Sequence, residues 1–132
     1  MTEVPILVVD DNVLNLKLTR LLLEGHGFRV RTAGSGQEAL AILEDFQPRL
    51  ILMDLQLPDL DGFELTRVVK SNASTRHIPV VALTAYAMKG DEDRALEAGC
   101  DGYIAKPIDT RTLVARLAGY LAAARQRMEL PS

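Results

Sequence analysis

Tryptophan is absent from this chain and cysteine occurs once, as Cys100, so no internal disulfide framework supports the fold. A lone cysteine fits a reducing compartment and reads as a small core residue. A basic cluster is also missing. With 15 Lys and Arg against 18 Asp and Glu, the formal net charge is −3, which gives no electrostatic case for nucleic acid or an anionic membrane as partner. Long hydrophobic runs are lacking as well. The apolar stretch Val4 to Val9 is too short for a signal sequence or a membrane span, and Met1-Thr2-Glu3 has no basic residue. A cytoplasmic protein is expected, with proteins and small anions left as ligands. There is no low-complexity tract, internal linker or sequence repeat. The 132 residues, 48% of them hydrophobic, suit one domain with a proper core.

What is present is an alternation of short apolar runs and helical patterns. Leu50-Ile51-Leu52-Met53 is wholly apolar and ends abruptly on Asp54. Continuous apolar runs mark parallel strands covered on both faces, and ligands of such sheets gather beyond the strands' carboxyl ends. Pro5 to Val9 repeats the pattern, ending on Asp10-Asp11-Asn12, and Ile78 to Leu83 ends on Thr84. Phe28 to Ala33 alternates as a half-exposed strand, and Gly102-Tyr103-Ile104-Ala105-Lys106-Pro107 is a fifth strand ending on a cation. Helices are expected between them. The first carries Leu14, Leu18, Leu21 and Leu22; the second begins at the capping box Ser35-Gly36-Gln37-Glu38. The third follows an Asp61 cap, and the fifth follows an Asp109 cap. The fourth, roughly Lys89 to Ala98, is acidic, offers only Ala95 and Leu96 as clear core positions, and should be the least firmly packed. This pattern predicts a flavodoxin-like α/β sandwich with a parallel five-stranded sheet of order 2-1-3-4-5 and right-handed crossovers. The expected domain spans 1–127, with a short tail at 128–132 and no output domain.

Strand ends in a parallel sheet face one way, so Asp10, Asp11, Asp54, Thr84 and Lys106 are expected at one edge. Converging carboxylates repel, and a hard divalent cation relieves them; Mg²⁺ suits a site with few carboxylates and retained waters. Lysine and threonine would be superfluous for metal binding but would grip an oxyanion, plausibly a phosphoryl group. Phosphoryl transfer needs mainly alignment and charge neutralisation. Asp54 is the candidate nucleophile, Asp11 and Asp54 the candidate metal ligands, and Thr84 and Lys106 the candidate oxyanion ligands. Taken singly, Asp10, Asp11 and Asn12 also read as helix caps, Thr84 as a strand end and Lys106 as a solvated cation.

Val8-Val9-Asp10-Asp11-Asn12, Ile51-Leu52-Met53-Asp54, Leu83-Thr84-Ala85 and Ala105-Lys106-Pro107 together resemble the marks of response-regulator receiver domains, over essentially the whole chain. Asn12 with Asn15, and the run Ala85 to Asp91, are most similar to DivK-type single-domain regulators and to receivers of hybrid histidine kinases. The resemblance implies that Asp54 accepts a phosphoryl group from a phosphohistidine, with Mg²⁺ held by Asp11, Asp54 and the Gln56 carbonyl. Asp10 would act through a metal-bound water. Thr84, Lys106 and the amides of Gln56 and Ala85 would bind phosphoryl oxygens. Tyr103 matches the family's switch aromatic, coupled to Thr84, though it also reads as a half-buried strand tyrosine. Asn12, Leu14, Asn15 and Leu18, with the turn Pro107-Ile108, would dock a sensor histidine kinase or histidine phosphotransfer protein. Leu14 and Leu18 equally suit a core face. A downstream protein target is implied, and a monomer or weak dimer is expected.

Competing readings include an excised receiver of a hybrid kinase and an interaction module that keeps the site without using it. A haloacid-dehalogenase-like phosphatase would carry a second acid two residues after the nucleophile, where this chain has Gln56. A flavodoxin is disfavoured by the lack of a Ser/Thr- and Gly-rich phosphate loop after the first strand and by the lack of tryptophan. The role expected is therefore a phosphoacceptor, not an enzyme acting on a separate substrate. His26 and His77 read as surface residues, and Asp59, Asp61, Asp91 and Asp101 as turn or capping residues.

Overall fold

Strands and helices alternate without exception in the computed structural model, which describes residues 4–55, 57–59, 61–84, 91–105 and 109–129. In chain order they are β1 (Val4–Val9), α1 (Val13–Glu24), β2 (Phe28–Ala33), α2 (Gly36–Asp45) and β3 (Leu50–Asp54). There follow α3 (Gly62–Ser71), β4 (Val80–Thr84), α4 (Asp91–Ala98), β5 (Gly102–Ala105) and α5 (Thr110–Glu129). The sheet has the expected order β2-β1-β3-β4-β5, and every pairing is parallel.

Pleating divides the buried strands between two apolar layers. Leu7, Val9, Ile51, Met53, Val80 and Ala82 pack with Leu43 of α2, Leu65 and Val69 of α3 and Ala95 of α4. Ile6, Val8, Leu50, Leu52, Val81 and Leu83 pack on the other side with Leu23 of α1 and Leu113 and Leu117 of α5. Every residue of β3 is buried, which is why that run carries no alternation. The edge strand β2 alternates because one of its faces meets solvent. No helix among the described residues is long and apolar enough to cross a membrane.

Local chemistry sets the helix starts. Asn12 caps α1 by accepting the Asn15 N–H, Ser35 caps α2 by accepting that of Glu38, and Asp61 caps α3 by accepting that of Phe63. Asp109 does the same for α5 through Arg111 N–H. Gly27, at φ 89°, takes the left-handed conformation that ends the turn after α1.

Two helix faces differ from expectation. Leu14, Leu18 and Leu21 point outward, and the inward face of α1 is formed by Leu16, Thr19 and Leu23. The helix is apolar on both sides, so its periodicity does not say which side meets the sheet. In α4, Ala95 is buried as expected, but Leu96 is 53% exposed and Ala98 is the second inward residue. Arg94 of α4 lies over the Phe63 ring of α3, 4.5 Å from its centroid, and helps seat this short helix.

Lys70 forms a junction that the sequence does not announce. Its amino group donates to the Ile78 carbonyl at 2.7 Å and to Asp101 Oδ2 at 2.8 Å, and that oxygen also accepts the Val80 N–H at 2.8 Å. One side chain thus joins the end of α3 to the starts of β4 and β5. Cys100, next to it, is buried 3.6 Å from Thr66 Oγ1, and burial pushes its thiol pKa up, so it stays a neutral core residue. Lys70→Met should lower stability by about 1–3 kcal/mol, because it strips the partly buried Asp101 carboxylate and Ile78 carbonyl of a charged donor. Urea unfolding followed by circular dichroism measures this.

Candidate functional site

Register delivers the site. Val9 lies opposite Met53, so Asp10 emerges beside Asp54; Asp54 is paired with Leu83, so Thr84 follows one step further along β4. Thr84 in turn pairs with Ala105, the last residue of β5. Asp10 is 2% exposed and Asp54 6%, whereas Asp11 is exposed. One carboxylate oxygen from each of Asp10, Asp11 and Asp54 lies within 4.8 Å of the others.

Backbone hydrogen bonds hold the two acidic loops. Asp10 N–H donates to the Ala33 carbonyl at 3.0 Å, and Asp10 Oδ1 accepts the Asn12 N–H at 2.9 Å. Leu55 N–H donates to the Leu83 carbonyl at 3.0 Å, and Gly62 N–H closes the following loop on the Leu55 carbonyl at 3.1 Å. Gly62 must be glycine: a Cβ there would stand 2.7 Å from Leu55 Cα and 3.0 Å from the Asp54 carbonyl oxygen. The start of α3 is therefore pressed directly against the backbone that carries Asp54.

Hard, anionic oxygen donors with one solvent-facing member fit a small divalent cation that keeps several waters. Asp11 and Asp54 would hold such an ion, which would supply positive charge to offset the clustered carboxylates.

Of the other residues singled out above, Asn12 and Asn15 lie at the start of α1, beside the carboxylates. Leu14 and Leu18 follow on its outward side, 63% and 56% exposed, which decides against a core role. Tyr103 sits on β5, half-buried against the layer that includes α3 and α4. Gln56, Ala85, Lys106, Pro107 and Ile108, and the side chain of Thr84, lie outside the described residues. Two residues near the site do more than the sequence assigns them: Asp59 reads there only as a turn or capping residue, and Gly62 carries no role of its own. Gly62 is a close-contact position, and Asp59 accepts the N–H groups of Gly36 and Gln37 at 2.9 and 3.0 Å. No spacing rule connects residue 59 to residue 36.

A doubly wound parallel sheet with three convergent carboxylates at its carboxyl edge defines an α/β domain built for chemistry at one strand-end cluster. The chain belongs to the response regulator receiver domain family, whose profile matches residues 6–118. It is 45% identical over 119 residues to the polar-differentiation response regulator DivK of Brucella ovis, covering 90% of this chain and 97% of that protein. Among solved structures, the receiver domain of a sensor histidine kinase from Pseudomonas aeruginosa, with magnesium coordinated in its active site cleft, matches at 35% identity. Its TM-score is 0.84, and the match covers 92% of this chain and 99% of that one. The chemotaxis response regulator CheY4 of Vibrio cholerae matches at 27% identity and a TM-score of 0.85, covering 90% of this chain and 99% of that one. The protein is thus a receiver of two-component signalling, a signalling domain of a family that binds Mg²⁺ at an acidic site. Receivers of this kind interact with histidine kinases or phosphotransfer proteins and with downstream targets.

Asp10→Asn keeps an oxygen for the Asn12 N–H while removing one of three clustered charges. It should raise the metal-free stability by about 1 kcal/mol and reduce the added stability that Mg²⁺ confers. Thermal melts in chelator and in Mg²⁺ measure both effects.

Proposed function

We propose that Asp54 is the phosphoacceptor of this receiver and that the domain signals by changing its protein-binding surface. The observation that carries the proposal is the convergence of the buried Asp54 carboxylate with Asp10 and Asp11 at the end of the fully buried β3. In this reading an Asp54 oxygen attacks the phosphorus of a phosphohistidine on a partner. The new P–O bond forms as the P–N bond breaks, and the imidazole leaves with the partner. Mg²⁺, when bound, supplies positive charge to the phosphoryl oxygens. Asp11, Asp54 and the Gln56 carbonyl would hold it, with Asp10 acting through a water. Thr84, Lys106 and the amides of Gln56 and Ala85 would orient the remaining phosphoryl oxygens. The same site would later admit the water that hydrolyses the aspartyl-phosphate, so the domain promotes its own loading and loss without a separate substrate.

Signalling requires a contact that differs between states. A charge-assisted hydrogen bond from Thr84 to the phosphoryl group, worth about 1.5–3 kcal/mol, shifts a two-state balance roughly 10- to 150-fold. Tyr103, on the strand paired with β4 and only half-buried, has the position to follow that shift. Its carbonyl accepts a hydrogen bond from Arg116 of α5 at 3.1 Å, which links the strand to a further helix. The cytoplasm is the proposed compartment, in keeping with a single free and buried cysteine.

The phosphodonor would dock on Asn12, Asn15 and the outward leucines Leu14 and Leu18 of α1, completed by Pro107 and Ile108. Exposed apolar side chains grouped on one helix face are the usual mark of a protein-binding surface.

Intact mass after incubation with acetyl phosphate tests the chemistry. The native protein should gain one phosphoryl group only with Mg²⁺, and Asp54→Asn should gain none; labelling of that variant, or labelling without Mg²⁺, would sink the assignment. Leu18→Glu should leave acetyl phosphate labelling and stability nearly unchanged, because the residue is exposed. Transfer from a phosphohistidine partner should slow by about tenfold or more. Unaltered transfer would place the docking surface elsewhere.

A further inference from the structure

The site carboxylates come from two separate loops, one after β1 and one after β3, and they repel each other. Something must fix one loop against the other. A continuous path of hydrogen bonds does so on the α2 side of the sheet. Asp10 N–H is bound to the carbonyl of Ala33, the last residue of β2. From there the chain passes through Gly34, whose N–H donates to Glu38 Oε1 at 2.7 Å, into the start of α2. Gly36 N–H then donates to Asp59 Oδ1 at 2.9 Å and Gln37 N–H to Asp59 Oδ2 at 3.0 Å. Asp59 lies on the loop that begins at Asp54 and is closed by Gly62 on Leu55.

The grip is chemically strong for an exposed residue. Each carboxylate oxygen takes one of the N–H groups that a helix start leaves without a partner, and the negative charge faces the positive end of the helix dipole. The third such N–H, that of Glu38, is already taken by Ser35 Oγ at 3.1 Å. Asp59 and Ser35 therefore cap the same helix, but only Asp59 ties it to the loop following Asp54.

We propose that Asp59 is a positioning residue for the metal site: by clamping the β3–α3 loop to the start of α2, it holds the Asp54 loop in register with Asp10 and Asp11. This rests on the reading of the acidic cluster as the Mg²⁺ site. Asp59 touches neither metal nor phosphoryl group; it acts through the backbone between residues 54 and 59, on which Gln56 lies. Without the clamp the two acidic loops relax apart, and metal binding must pay to reassemble them.

The test is the Mg²⁺ dissociation constant of the unphosphorylated full chain, by calorimetry, alongside melting temperature in chelator. Native protein is compared with Asp59→Ala, Asp59→Asn and Ser35→Ala. Asp59→Ala should weaken Mg²⁺ by about tenfold, the low end of what losing a supporting partner costs a metal site. Asp59→Asn, which keeps one acceptor oxygen but sets an NH2 group against the other N–H, should recover only part of the affinity. Ser35→Ala should lower the melting temperature and leave Mg²⁺ affinity unchanged. Native affinity in Asp59→Ala would overturn the proposal. A weakening in Asp59→Ala that vanishes at high ionic strength would reduce the effect to lost negative charge, and a Ser35→Ala equally weakened would reduce it to helix stability; either result overturns the clamp. If the native protein itself binds no Mg²⁺, the metal-site reading fails and the clamp falls with it.

Discussion

Like charges brought together at the edge of a buried sheet push apart, and the rest of this structure is arranged around resisting that push. Asp10 and Asp54 are buried, and their carboxylates share a space within 4.8 Å that also includes Asp11. Water screens such a cluster only partly, so the repulsion is a permanent load on the loops that carry it. The load is borne first by β1 and β3, adjacent parallel strands with apolar contacts on both faces. A bound cation would relieve it, and in the proposed reading the same strain would favour metal binding.

The loops are secured by different means. The β1–α1 loop is pinned by Asp10's backbone bond to Ala33 and by Asn12, which both bonds Asp10 and caps α1. The β3–α3 loop is pressed against α3 at Gly62, where no side chain fits, and clamped through Asp59 to α2. On the far side of β4, Lys70 and Asp101 fasten α3 to the strand starts, away from the chemistry. The strand starts are thus fastened by a charged side chain, away from the carboxylates.

In the proposed reading, recognition and chemistry would meet at α1. Its first residues adjoin the carboxylates, and its outward leucines extend from that point along the helix. A partner docked on this face would lie next to the carboxylate cluster. Exposing leucines there costs little in the folded state, since the inward face already supplies Leu16 and Leu23 to the core.

Much of this was legible in the sequence. The strands, their order, the capping residues of α1, α2, α3 and α5, and the gathering of Asp10, Asp11 and Asp54 all follow from local patterns. Apolar runs, cap residues and abrupt charges at strand ends act within a few residues, and parallel pairing then brings those ends together. The outward side of α1 was not decidable, because both of its sides are apolar; nor was the exposure of Leu96, because a single leucine in an acidic helix has no periodic partner. The Asp59 clamp and the Lys70–Asp101 junction belong wholly to tertiary structure. Each joins groups more than twenty residues apart. A hydrogen bond between distant segments depends on where the sheet and helices place its donor and acceptor, and no local pattern records that.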